Sequence, residues 1–91
     1  MAISAHFRHR RYPPETYDEA LRRLEAAGHG NPAGRLLSIA VEADGDIEVF
    51  AIWESPEALQ AFSSALVPLL QELGVEVHPP TIHPVHNIIK D

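Results

Sequence analysis

Residues 35–53, RLLSIAVEADGDIEVFAIW, place two apolar runs on either side of Asp44-Gly45. An Asp-Gly pair between such runs favours a two-residue type I′ turn, because both central residues must take positive φ. The spacing predicts strands over 35–43 and 46–53, joined as a hairpin. Along them Leu37, Ile39, Val41 and Ala43 point one way, while Leu36, Ser38 and Ala40 point the other. Ile47, Val49, Ala51 and Trp53 likewise oppose Phe50 and Ile52. A sheet covered on one face alone carries polar residues on its other face. These strands are apolar on both, so two bodies must cover them, and a second copy of the chain is the economical candidate for one.

Downstream, Ser55-Pro56-Glu57 supplies an N-cap hydroxyl, a proline at the first helical position and an acid in the first turn. Leu59, Phe62, Leu66, Leu69, Leu70 and Leu73 then recur at helical spacing up to Gly74. Pro68 inside this helix removes the hydrogen bond to the carbonyl of residue 64, which predicts a kink there. Upstream, residues 2–9 read as a strand that Pro13-Pro14 ends. Thr16 and Glu19 have capping-box spacing, and Tyr17, Ala20, Leu21, Leu24 and Ala27 follow as a helical stripe that Gly28 terminates. VEVH and TIHPVHNII, interrupted by Pro79-Pro80, supply a last extended segment. The expected order is βαββαβ. With right-handed crossovers it folds into a four-stranded antiparallel sheet with both helices on one face, the ferredoxin-like α+β arrangement, as one domain over 1–91.

A chain of 91 residues, 45% apolar and 22% charged, is of ordinary globular composition but near the lower size limit for an unaided core. Cysteine is absent, which removes disulfides and thiolate metal sites and leaves oligomerisation as the expected source of extra stability. The net charge of −6 lacks the basic field that attracts nucleic acid or anionic lipid. Arg8, Arg10 and Arg11 are the local exception, read as a solvated strand end before an anion clamp. No apolar run approaches the ~20 residues of a membrane span. The N-terminus lacks the order of a signal peptide, so a cytoplasmic location is expected.

The element order, the two-sided strands and FAIWESPEALQAF at 50–62 together resemble the dimeric α/β-barrel superfamily, which includes antibiotic-biosynthesis monooxygenases, stress-responsive barrel proteins, polyketide cyclases and heme-degrading enzymes. WESPEA at 53–58 with PVHNII at 84–89 is similar to small actinobacterial-type members, and the likeness covers nearly the whole chain. It implies a homodimeric barrel that holds a small organic, partly aromatic molecule between sheet and helices. It also implies cofactor-independent monooxygenase-like or cyclase-like chemistry. Phe62 and Glu72 stand where the heme-degrading branch carries tryptophan and histidine, so that activity is not supported. His6 and the HPVH at 83–86 resemble the histidine pair of the cyclase branch, but here the second lies in the fourth strand and not beside a helix.

The terminal histidines cannot build a metal site in regular geometry. His83 and His86 project to opposite faces of a strand, and His78 and His86 are separated by roughly 26 Å at ~3.3 Å per residue. No metal ligand set is therefore assigned. As general bases the candidates are His86, favoured because Asn87 and Ile88-Ile89 suggest ordered strand around it, then His6 and His83. Trp53, Asn87, Tyr17 and Phe62 are the ligand-contact candidates. Each has a plainer role: core aromatics for Trp53, Tyr17 and Phe62, and a strand-end hydrogen bond for Asn87. No Ser-His-Asp order, phosphate loop or paired carboxylates appear. The rival to an enzyme is a non-enzymatic ligand-binding or stress-associated module, and behind both stands a metal or heme binder.

Overall fold

The computed structural model describes residues 1–90. Its elements run β1 (Ile3–Arg8), α1 (Pro14–Ala26), β2 (Arg35–Ala43), β3 (Asp46–Trp53), α2 (Pro56–Glu72) and β4 (Thr81–Pro84). All neighbouring strands are antiparallel, in the order β2-β3-β1-β4. The expected ferredoxin-like α+β arrangement is what the chain adopts. Asp44 and Gly45 have φ of 55° and 88°, the positive pair that a type I′ turn requires. No helix among the described residues is long and apolar enough to cross a membrane.

The helices end alike. In α1 the N–H of His29 donates to the carbonyl of Leu24 and that of Gly28 to Glu25; in α2 Val75 donates to Leu70 and Gly74 to Gln71. Each is a Schellman motif, with Gly28 and Gly74 both at φ 85°. At its start, α2 is capped as its sequence suggests, Ser55 Oγ accepting from the N–H of Ala58 at 3.1 Å. The capping box expected at Thr16 and Glu19 does not form. Pro14 presets a helical φ, so α1 begins three residues earlier with Pro13 as an N-cap that makes no side-chain hydrogen bond. Glu19, inside the helix, instead pairs with Arg22 and with Arg23 at 2.8 Å.

The last strand is shorter than its sequence suggests. β1 pairs Ile3 with Pro84 and His6 with Thr81, so beyond Pro84 only Met1 and Ala2 remain to be paired. One further bond, Val85 N–H to the carbonyl of Ala2, ends the ladder. Residues 85–90 form no strand, and the ordered strand expected around His86 is absent. Upstream, Glu76 bridges Arg10 outside the named strands.

Ile3, Ala5, Ala51, Trp53 and Leu59 pack as one buried cluster, and Tyr12, Ala20, Ile47, Leu70 and Val75 as a second. Both lie between helices and sheet. The opposite sheet face is uncovered, and on it Leu37, Ile39, Val41 and Phe50 remain 40–50% exposed.

Candidate functional site

Where the two clusters meet, the core does not close. A cavity of about 60 Å³ remains, walled from the sheet by Phe7, Val49, Ala51 and Trp53 and from the helices by Leu24 and Phe62. Tyr17, Leu21, Arg35 and Ser38 form a neck between this inner chamber and an outer vestibule of about 260 Å³, which also holds Glu25 and His29. At ~10–15 Å³ per water, the chamber alone holds a handful of waters, so a six-membered ring must use part of the neck as well.

The chamber is aromatic and poor in polar groups. Trp53 is 2% exposed, with its ring 5.4 Å from that of Phe62. Its Nε1–H is buried and has no hydrogen-bond partner among the described residues. An orphaned buried donor costs roughly 1–3 kcal/mol. Tyr12 and Tyr17 meet edge to face at 5.9 Å. Burial raises the pKa of both phenols; for Tyr17, Asp18 adds to the rise while Arg35 opposes it. At neutral pH both are donors and not bases.

Arg35 reaches the chamber through an irregularity. Arg35 pairs with Trp53 and Leu37 with the next residue, Ile52, so two residues of β2 oppose one of β3. The bulge turns Arg35 to the helix side, out of the alternation that holds from Leu37 onward. Gly34, at φ 87°, precedes it, and a Cβ there would lie 2.6 Å from the Cβ of Ala58. The Gly34 carbonyl accepts from Glu54 N–H at 2.8 Å, tying the bulge to the end of β3. The Arg35 guanidinium sits 5.9 Å from the Phe62 ring centroid and donates to the Gly30 carbonyl at 3.3 Å.

His9 continues the inward phase of Ile3, Ala5 and Phe7 one residue past the end of β1 and is 7% exposed. Its Nδ1 accepts from the backbone N–H of His78 at 3.0 Å. That bond fixes the neutral tautomer with hydrogen on Nε2. Burial, and secondarily the charge of His78, lower its pKa. The ring borders both the chamber and an open groove on the other side that Arg8, Arg10 and His78 help to line. His78 itself is bonded to Glu76 at 2.7 Å, and this bond holds the Glu76 carboxyl below its ordinary range.

The residues singled out in the sequence do not assemble in one place. Trp53, Tyr17 and Phe62 stand together around the chamber. His6 lies on the uncovered face, stacked on Phe50 at 4.1 Å and bonded through Nε2 to Glu48 at 2.8 Å. His83 is opposite Ser4, on that same face, and its carbonyl accepts from Ser4 Oγ at 3.4 Å. His86 and Asn87 are exposed beyond the end of β4, and neither lines the chamber or the vestibule. His9, Tyr12, Arg35 and Ser38, which the sequence reading did not select, are the additional polar groups at the cavity. Among the described residues no three histidine, aspartate or glutamate side chains come together as a metal site.

No protein-family model matches the chain, and no curated protein matches it. Solved structures do, along nearly their whole length. SnoaB, a cofactor-independent oxygenase from Streptomyces nogalater, overlays with a TM-score of 0.61 at 12% identity, covering 99% of this chain and 96% of its own. A candidate antibiotic biosynthesis monooxygenase from Deinococcus radiodurans gives 0.63 at 18% identity, with coverage of 100% and 98%. Another from Chloroflexus aurantiacus gives 0.59 at 18% identity, with coverage of 98% and 95%. The chain shares their fold. At these identities the likeness is one of architecture, and that architecture is the one implied by the resemblance read from the element order, the two-sided strands and FAIWESPEALQAF.

Proposed function

We propose that the protein binds a small planar aromatic molecule between its sheet and helices and oxygenates it without a cofactor. The observation that carries this reading is the apolar aromatic chamber with one buried, unpartnered donor, Trp53 Nε1–H. Aromatic walls exclude water and stack on a ring, while a few placed polar groups orient it. A carbonyl or phenolic oxygen on that ring would satisfy the indole. The fold shared with a cofactor-independent oxygenase supports the class of chemistry.

The polar groups fit an electron-rich ring in its ionised form. Among the described residues the chamber walls include no carboxylate, and His9 and the two tyrosines offer hydrogens. Donors around the site stabilise a phenolate, the form that transfers electrons to dioxygen. With 1-naphthol, a ring carbon of the naphtholate forms a C–O bond to O2. The resulting peroxide anion takes up a proton to become the hydroperoxide, which loses its terminal OH together with the hydrogen on the same ring carbon as water, leaving naphthoquinone. One oxygen atom thus enters the ring and the other leaves as water.

The same reading includes a homodimer, in which a second copy covers the face bearing Leu37, Ile39, Val41 and Phe50. His6 and His83 would then lie at the interface. A cytoplasmic location goes with it.

Leu21 is 43% exposed at the neck, so Leu21→Trp can obstruct it without disturbing the core. Oxygen uptake with 1-naphthol in the presence of a chelator, yielding naphthoquinone, should exceed the spontaneous rate and be lost in Leu21→Trp. A shift of the single indole resonance without oxygen uptake would instead favour the ligand-binding module. No uptake and no shift with any phenol would contradict both.

A further inference from the structure

Arg8, Arg11, Arg22 and Arg23 each have a carboxylate partner within 4.0 Å, whereas Arg35, like Arg10 on the strand-end side, has none among the described residues. What sets Arg35 apart is its place: among the described residues it is the one formally charged side chain on the chamber wall. Three features hold it there: the β2 bulge, the positive φ of Gly34, and the bond from its guanidinium to the Gly30 carbonyl. A regular strand would have aimed residue 35 at the uncovered sheet face.

The guanidinium has further N–H donors beyond the one used on Gly30. It sits at the neck, so a group bonded to it would lie at the boundary between apolar chamber and polar vestibule. Glu25, also in the vestibule, is not within ion-pair distance of it among the described residues. We propose that Arg35 is the specificity-determining residue of the site, selecting aromatic oxyanions over neutral rings by holding the anionic oxygen at the neck while the ring occupies the chamber. This rests on the reading that the chamber binds an aromatic ring, and it adds the charge of the ligand and the residue that reads it. A charge-assisted hydrogen bond in a partly dry site exceeds a neutral one, and Arg offers it in a planar fork.

The test compares 4-nitrophenol, at a pH where it is ionised, with its methyl ether 4-nitroanisole, by calorimetry on the full chain. The expected result is tighter binding of the phenolate by roughly tenfold or more. Arg35→Gln should remove that preference while leaving the affinity for 4-nitroanisole within about twofold, and Arg35→Lys should restore part of it. Equal affinities in the wild type, or a preference that survives Arg35→Gln, would overturn the proposal while the aromatic-binding reading stands. If neither probe binds, the aromatic-binding reading fails and this proposal with it. Circular dichroism of each variant separates loss of binding from loss of fold.

Discussion

At the scale of single residues, His9 shows how a backbone contact determines what an imidazole can do. The N–H of His78 donates to Nδ1, so a proton added at Nδ1 would replace an acceptor with a second donor. Burial acts in the same direction, and the folded pKa lies below the ordinary 6.5. Between the folded and unfolded values the unfolded chain binds more protons, so stability rises with pH across that window. The stability that neutral His9 contributes is present above 6.5 and is lost as pH falls through the lower folded value. The wild type should therefore melt lower at about pH 5 than at about pH 7, by roughly 4–8 °C if one hydrogen bond of ~1 kcal/mol is lost. His9→Gln should narrow the difference, as scanning calorimetry at the two pH values would show. His9 was legible in principle. The strand read over residues 2–9 puts it in phase with Ile3, Ala5 and Phe7, but a histidine at a strand end reads equally well as solvated. The burial and the His78 contact, 69 positions away in the chain, belong to tertiary structure and leave no local signal.

At the scale of elements, patterns that depend on neighbours in sequence were readable apart from the Thr16–Glu19 capping box, which Pro14 pre-empts, and those that depend on partners across space were not. The 44–45 turn, the Ser55 cap and the glycine stops at 28 and 74 are local, and each appears where the residues place it. The end of β4 is not local. It is decided by how much of β1 remains to pair with it, and the apolar run through Ile88-Ile89 gives no hint that the partner has run out. His86 was favoured as a base on that run, and the structure leaves it exposed beyond the ladder. The β2 bulge is likewise a matter of register against β3, and alternation alone would have aimed Arg35 away from the chamber. Gly34 is the hinge of that bulge. Gly34→Ala forces a non-glycine residue to φ 87° and a methyl into the Ala58 side chain. The backbone term alone costs ~1–2 kcal/mol, so the melting temperature should fall by more than about 5 °C. Relief at Gly34 by shifting the bulge would also move Arg35, so the 4-nitrophenol preference should drop more than that for 4-nitroanisole. An unchanged melting temperature would show that the bulge tolerates the methyl.

At the scale of the whole molecule, the sheet has one face under the helices and one without cover, and the proposed function gives the two different uses. Alternation in 35–53 showed both faces to be apolar, which is why the uncovered one could be anticipated from sequence. Its exposed Leu37, Ile39, Val41 and Phe50 are the basis for the proposed homodimer. Sedimentation should give a dimer for the wild type at micromolar concentration, and Ile39→Asp should give a monomer or an unfolded chain. A wild-type monomer would remove the second copy from the account. The covered face is where the proposed ligand binding belongs, because the walls around Trp53 are aromatic and apolar while the six histidines are scattered along the chain. The site could not be assembled from sequence because its walls come from β1, β2, β3 and both helices, brought together only by the fold. The most direct measurement is a crystal soaked in 4-bromophenol, with the bromine located by its anomalous signal. The account predicts a bromine peak between the sheet and the helices, within van der Waals contact, about 4 Å, of Trp53 or Phe62. Bromine found only on the uncovered face beside His6 and His83, or near His86, would contradict it.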